Sequence, residues 1–131
     1  MKIEVFFEGK KGVNAIVNGQ TIKTDQPVIG GGDGLAPTPF DLFLASLGTC
    51  AGIYVKSFCD QRGLPTENIK LIQEMEYDPN THLIKKMNIE IQVPKDFPEK
   101  YHETLTVVAS KCKVKQHLLN PPEIEVYTKV Y

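Results

Sequence analysis

Polar and apolar residues roughly alternate through the first part of the chain, which is the period of a half-buried β-strand. The alternation covers residues 2–8 and resumes at residues 13–17, with a glycine-containing turn between the two runs. Asn18-Gly19 is a strong two-residue hairpin signal, and residues 21–24 after it predict a short third strand. The chain therefore begins with antiparallel strands joined by tight turns.

The segment of residues 27–34 contains four glycines and is too glycine-rich for regular structure. Glycine-rich loops sometimes bind phosphate, but such a loop continues into Gly-Lys-Ser or Gly-Lys-Thr, and this chain has no such continuation. The composition therefore predicts a plain flexible loop.

A long helical pattern follows in residues 38–62. Thr38 has the properties of an N-cap, Pro39 suits the first helical position, and Asp41 adds an acidic side chain to the first turn. Gly63 is a helix terminator. Nearly all residues between positions 40 and 55 are apolar or small, so the helix lacks a wide polar face, and we expect it to be central and buried.

The second half of the chain predicts a second hairpin, two helices and a last strand. The hairpin strands are residues 69–77 and 82–93, the helices residues 98–110 and 112–119, and the closing strand residues 123–131. This order predicts an α+β fold with antiparallel sheets and a long buried central helix, in a single domain of residues 1–131. Sheets that one short chain only partly supplies suggest that a second copy completes the cover of the helix.

Composition narrows the class of protein. The chain has 131 residues, of which 41% are hydrophobic and 24% charged, as in a globular domain. A formal net charge of -1 argues against nucleic acid or an anionic membrane as a partner. Charged residues interrupt the apolar ones at the N-terminus, which argues against a signal peptide and for a cytoplasmic protein.

The chain has three cysteines with no Cys-x-x-Cys pair, which argues against a structural disulfide framework and against a zinc site. In the long helix Cys50 shares a face with Phe43, Leu47 and Tyr54, whereas Cys59 points the opposite way. The residues around Cys50 are unusually small. Glycines there cost about 1 kcal/mol each relative to alanine, which indicates close approach of a packed element or a ligand.

Two segments resemble the OsmC/Ohr family of thiol-dependent hydroperoxide reductases. Residues 37–50, Pro-Thr-Pro-Phe-Asp-Leu-Phe-Leu-Ala-Ser-Leu-Gly-Thr-Cys, are similar to the family's signature helix, which ends at the peroxidatic cysteine. Residues 109–114, Ala-Ser-Lys-Cys-Lys-Val, resemble the segment of the second cysteine, with Lys113 where the family usually has proline. The order of elements fits the family over essentially the whole chain.

The resemblance implies an intertwined homodimer and a two-cysteine oxidoreductase that needs neither metal nor organic cofactor. A Cys50 thiolate would attack a hydroperoxide, Cys112 would convert the resulting sulfenic acid into a disulfide, and an external thiol would reduce that disulfide. The residues expected to contact an organic hydroperoxide are Phe40, Phe43, Leu47 and Tyr54. The function implied is an antioxidant peroxidase of the oxidative stress response.

The chain departs from the family's activating residues, and this leaves alternatives open. Phe40 stands where the hydroperoxide reductases have a glutamate, and the sole arginine is Arg62, about 18 Å along the helix from Cys50. Low or altered peroxidase activity is therefore one expectation. The others are a member of the fold that binds a small hydrophobic ligand or senses redox state, and a reaction of Cys50 with another electrophile.

Overall fold

The computed structural model describes residues 1–131, and the chain divides into two compact units, Met1–Ala45 and Ser46–Tyr131. Each unit contains one antiparallel sheet. The structure is α+β, as the sequence predicts. That residues 1–131 form a single domain stays a prediction.

The sheet of the first unit has three strands in the order β1-β2-β3, formed by Ile3–Glu8, Gly12–Val17 and Gln20–Ile22. Asn18 and Gly19 both have positive φ, 49° and 77°, as a two-residue hairpin turn requires. The predicted hairpins are therefore confirmed, although the third strand ends earlier than expected. Every residue of β1 is exposed.

The glycine-rich segment is more ordered than the sequence predicts, because it is built around Asp25. This carboxylate is only 7% exposed and accepts hydrogen bonds from the backbone N–H groups of Gln26, Asp33 and Leu35, at 2.8, 3.3 and 3.2 Å. A Cβ at Gly32 would lie 2.1 Å from the Gln26 carbonyl oxygen, so only glycine fits there. One turn of 3₁₀ helix, Val28–Gly30, completes the loop.

Helix α1 spans Pro39–Asp60, close to the predicted bounds. It begins with a reciprocal capping box: the Thr38 hydroxyl accepts from the Asp41 N–H at 3.1 Å, and the Asp41 carboxylate accepts from the Thr38 N–H at 3.3 Å. At its other end Gly63 adopts φ 65°, and the Leu64 N–H donates to the Cys59 carbonyl at 2.9 Å. Both predicted helix ends are confirmed.

The expectation that α1 is buried on all sides is wrong for the single chain. Ala51, Val55 and Phe58 are buried, but Ile53 is 56% exposed and Tyr54 36% exposed on another face. The helix is apolar on more than one face, but only one stripe of its side chains packs against the rest of the chain. Its length and apolar composition also fit a membrane-crossing helix, a test that the core helix of a soluble protein passes equally.

The second unit places a hairpin and two short helices beside the end of α1. Strands β4 and β5, Lys70–Tyr77 and Ile84–Gln92, pair in antiparallel register with an irregularity at Glu76/Tyr77. Helix α2 is His102–Ser110 and α3 is Lys113–Leu119. A core forms where α1, α2 and the sheet meet; its buried members are Ala51, Val55, Phe58, Cys59, Phe97, Leu105 and Ala109.

The predicted closing strand, residues 123–131, is absent from the structure. The segment is exposed, with Ile124 at 81%, Val126 at 90% and Val130 at 92%. A strand exists only where another strand satisfies its backbone hydrogen bonds, and no strand of this chain pairs with the segment. An alternating pattern alone was therefore not sufficient to predict it.

Candidate functional site

The structure brings together the two cysteines singled out in the sequence. Cys50 lies in the second half of α1, and Cys112 is the N-cap residue of α3. Both are free thiols, and they are close enough for their side chains to interact electrostatically. Two positions distant in sequence therefore form one dithiol site within the second unit.

The two thiols differ in exposure and in proton affinity. Cys112 is 1% exposed, whereas Cys50 is partly exposed. Burial raises the pKa of the Cys112 thiol, and the interaction with Cys50 raises it further, although the N–H groups of Lys115 and Val114 oppose this effect. Cys112 is therefore a protonated thiol at neutral pH. A small reagent from solvent meets Cys50 first.

The sulfur of Cys112 also has a structural contact. The Cys112 Sγ accepts a hydrogen bond from the Lys115 N–H at 3.4 Å, which is the contact of a helix N-cap. The prediction that a short helix begins at this cysteine is thus confirmed. The same sulfur faces α1 on one side and the first turn of α3 on the other.

Cys59 has a different environment from the other two cysteines. It is 0% exposed, and burial raises the pKa of its thiol. It packs in the core with Val55, Phe58 and Leu105. The interpretation of Cys59 as a small apolar core residue agrees with this placement.

The close approach predicted for the glycines near Cys50 occurs at Gly48. A Cβ there would lie 2.5 Å from the Gln73 side-chain oxygen, so the missing side chain leaves space for Gln73. At Gly52 nothing lies within 4 Å of an added Cβ. Sequence analysis did not identify Gln73, and its one signal was the alternation in β4 that turns residues 71, 73 and 75 to the half-buried face.

A cavity of about 520 Å³ lies beside the dithiol, between α1, β5, α2 and α3. Cys112 and Leu47 line it, and Cys50 does not. Most of its wall is apolar, with aliphatic side chains that include Leu47, Ala51, Ile89, Ile91, Leu105 and Leu118.

Two of the four residues predicted to contact substrate, Leu47 and Tyr54, line different cavities. Leu47 lines the cavity beside Cys112, whereas Tyr54 lines a second, open cavity of about 510 Å³ with Phe58 and others. Phe40 and Phe43 lie in the first unit, where their rings stack with centroids 5.6 Å apart. A shared role for these residues in substrate binding stays a prediction.

The sole arginine is used to stabilise the end of α1. The Arg62 guanidinium lies 3.7 Å from the centre of the Phe58 ring and donates to the Phe58 carbonyl at 3.2 Å. In the first unit Lys10 pairs with Asp33 at 3.5 Å and Lys23 with Glu8 at 3.8 Å. Arg62, Lys10 and Lys23 thus each contact a neighbouring aromatic ring or carboxylate.

No cluster of three or more His, Cys, Asp or Glu side chains is arranged to hold a metal ion. The chemistry that the site offers is therefore that of two adjacent thiols of unequal exposure. Such a pair suits nucleophilic attack followed by disulfide formation.

Comparison with known proteins identifies the family. The family model described as OsmC-like protein matches residues 31–127, while no curated protein matches significantly in sequence. A solved structure from Psychrobacter arcticus 273-4, described as an osmotic stress induced and detoxification response protein, has a TM-score of 0.73 at 20% identity, over 88% of this chain and 86% of that one.

Two further solved structures are described as organic hydroperoxide resistance proteins. The one from Legionella pneumophila has a TM-score of 0.56 at 16% identity, over 89% of this chain and 87% of that one. The one from Vibrio cholerae, with captopril in one of its active sites, has a TM-score of 0.55 at 13% identity, over 92% and 86%. These likenesses show a shared fold, and with the family match over most of its length the chain belongs to the OsmC-like protein family.

Proposed function

We propose that the protein is a thiol-dependent reductase of organic hydroperoxides that acts through Cys50 and Cys112. The observation that carries this proposal is that the partly exposed Cys50 thiol and the buried Cys112 thiol are neighbours. Two neighbouring sulfur atoms can close to the S–S distance of about 2.05 Å once one of them has been oxidised to a sulfenic acid. Family membership supports the proposal, and so do the descriptions of the Legionella and Vibrio proteins.

The reaction follows from the unequal exposure of the two thiols. The Cys50 thiolate attacks the distal oxygen of ROOH, so that an S–O bond forms, the O–O bond breaks, and RO⁻ takes up a proton to leave as an alcohol. The Cys112 sulfur then attacks the Cys50 sulfenic acid. An S–S bond forms, and the hydroxyl group leaves with the Cys112 proton as water.

Two electrons from an external dithiol return the disulfide to two thiols. This step takes place in the cytoplasm, where we place the protein because thiols stay reduced there. Since Cys112 holds its proton at neutral pH, it remains a thiol until the sulfenic acid is formed beside it. The pair is therefore ordered as peroxidatic and resolving cysteine.

Activity is expected to be low compared with hydroperoxide reductases that have an activating glutamate and arginine. Phe40 occupies the position of the glutamate, and its ring stacks on Phe43. Arg62 is engaged with the Phe58 ring and carbonyl. Cys50 consequently lacks the bidentate guanidinium that would orient and stabilise a thiolate in such a site.

We also propose that the active form is a homodimer. Ile3, Val5 and Phe7 of β1 are 49%, 60% and 84% exposed, an apolar face that a soluble monomer rarely leaves open. Ile53 of α1 and the alternating segment of residues 123–131 are exposed as well. A second copy that covers these surfaces and pairs with the last segment accounts for all three.

The test is mass spectrometry of the reduced protein after a stoichiometric dose of cumene hydroperoxide. The parent is expected to form a Cys50–Cys112 disulfide, Cys112→Ser to retain a Cys50 sulfenic acid, and Cys50→Ser to remain unmodified. Cys59→Ala is the matched control and should behave as the parent, because Cys59 is buried apart from the pair. A parent with neither a disulfide nor a sulfenic acid would rule out the proposal.

A second candidate function, binding of a small hydrophobic ligand without turnover, is favoured by the 520 Å³ cavity. Its volume lies in the range of small-molecule pockets, about 300–1,000 Å³. Saturable binding of an apolar ligand by a protein that is inert to cumene hydroperoxide would establish this function instead.

A further inference from the structure

The cavity beside Cys112 has a biased set of charges. Its lining includes Lys85, Lys86, Lys115 and His102 but no aspartate or glutamate. Lys85 is paired with Glu76 at 3.3 Å, whereas Lys86 and Lys115 form no ion pair. The cavity therefore combines an aliphatic wall with two unpaired cations.

The wall itself offers no anion to those cations. Its aliphatic side chains include Leu47, Ala51, Ile89, Ile91, Leu105 and Leu118. The hydroxyl groups of Thr106 and Ser110 donate to backbone carbonyls of α2 and are not directed at a ligand. Cys112 adds a neutral thiol, which lies against a bound molecule as an apolar group.

We propose that this cavity binds a straight-chain amphipathic anion of the fatty-acid type, with the alkyl chain along the aliphatic wall and the carboxylate at Lys86 and Lys115. Charge complementarity favours an anion, because the two ammonium groups would repel a cationic head group and would form no ion pair with a neutral one. The site goes beyond peroxide reduction. The bound chain needs no peroxide group, and Cys50 is not part of the lining.

The first experiment is titration calorimetry of the whole protein with dodecanoate and decanoate below their micelle concentrations, and with dodecanol below its solubility limit. Dodecanoate is expected to bind about tenfold more tightly than decanoate, because two more methylene groups are buried. It should bind about fivefold more tightly than dodecanol, the gain of a partly exposed ion pair. Equal affinities for acid and alcohol, or no saturable binding of dodecanoate, would overturn the proposal.

Charge variants with a matched control locate the head group. Lys86→Gln and Lys115→Gln should each weaken dodecanoate binding up to fivefold and leave dodecanol binding unchanged. Lys113→Gln, in the same helix as Lys115 but not in the lining, should change neither. A loss that is the same for Lys113→Gln and Lys115→Gln would mean that only the general surface charge matters, against the proposal.

A filling variant distinguishes the ligand from a second copy of the chain. Thr106→Phe places a ring at the cavity and should abolish dodecanoate binding, whereas Val107→Phe, the next residue of α2, lies outside the lining and should not. If no ligand binds and Thr106→Phe alone dissociates a dimer in analytical ultracentrifugation, a second copy occupies the cavity and the proposal fails. Cys50→Ser should bind dodecanoate like the parent, so that failure of the peroxidase chemistry is a separate outcome.

Discussion

The two glycines that flank Cys50 in α1 should respond in opposite ways to alanine. Alanine in a helix interior is favoured over glycine by about 1 kcal/mol, since glycine has more backbone freedom to lose on folding. At Gly52 nothing lies within 4 Å of the added methyl group, so the full gain should appear. A stabilisation of about 1 kcal/mol corresponds to a rise in Tm of about 4 °C for a chain of this size.

At Gly48 the same substitution meets the Gln73 side chain. The added Cβ would lie 2.5 Å from the Gln73 oxygen, nearer than non-bonded atoms approach, so Gln73 must rotate away. That oxygen is the far end of a flexible side chain, and the cost of moving it is of the order of one lost hydrogen bond, about 1 kcal/mol. Gain and cost nearly cancel, and Gly48→Ala is therefore expected to leave the free energy of unfolding almost unchanged.

The assay is urea unfolding followed by far-ultraviolet circular dichroism, with equal m-values required before midpoints are compared. The double variant Gly48→Ala/Gln73→Ala, compared with Gln73→Ala, should recover the helix gain of about 1 kcal/mol. Equal effects of Gly48→Ala and Gly52→Ala would refute the reasoning that Gln73 is what requires glycine at position 48. Destabilisation by Gly52→Ala would show that position 52 is not open.

Three other predictions concern stability and reactivity. Leu105→Ala should cost about 3 kcal/mol in urea unfolding, because this side chain is 1% exposed in the core; a loss below about 1 kcal/mol would contradict its placement. The backbone N–H groups of Gln26, Leu35 and Asp33 hold the pKa of Asp25 below 3.8, so its contribution to stability is present above that pH and is lost as pH falls through the lower, folded-state value. Asp25→Asn should therefore be less stable than the parent at pH 7, and its free energy of unfolding should fall less steeply as the pH is lowered. If the free energies of unfolding of parent and variant change in parallel with pH, ionised Asp25 does not stabilise the fold. Iodoacetamide should label Cys50 in the folded protein and reach Cys59 only on unfolding, as peptide mapping can show.

Local chemistry was predictable from the sequence where one short segment determines it. The Thr38–Asp41 capping box, the positive φ of Asn18 and Gly19, and the end of α1 at Gly63 all depend on a few neighbouring residues. The exposed Ile53 and the unpaired residues 123–131 were beyond such reasoning. Their state depends on which surfaces a single chain covers, and an apolar pattern does not carry that information.

In the candidate site, too, features set by neighbouring residues were predictable and contacts between distant segments were not. Small residues around Cys50 indicated a close approach, and Gly48 has one, but its partner Gln73 comes from a strand that no spacing links to α1. The pairing of Cys50 with Cys112 entered through family resemblance, since residues alone left each cysteine a possible apolar packing group. The position of Lys86 and Lys115 at the cavity could not be predicted from the sequence, because most lysines are simply solvated surface residues.

Because its sulfur caps α3 while it neighbours Cys50, Cys112 would couple the proposed redox chemistry to the stability of this helix. Alanine at this position would remove a nucleophile and a helix cap at once, and a lost activity would then have two explanations. Serine keeps an acceptor for the Lys115 N–H and removes only the sulfur chemistry. Any covalent modification of this thiol, including the disulfide itself, should therefore also be detectable as a change in amide exchange at the first turn of α3.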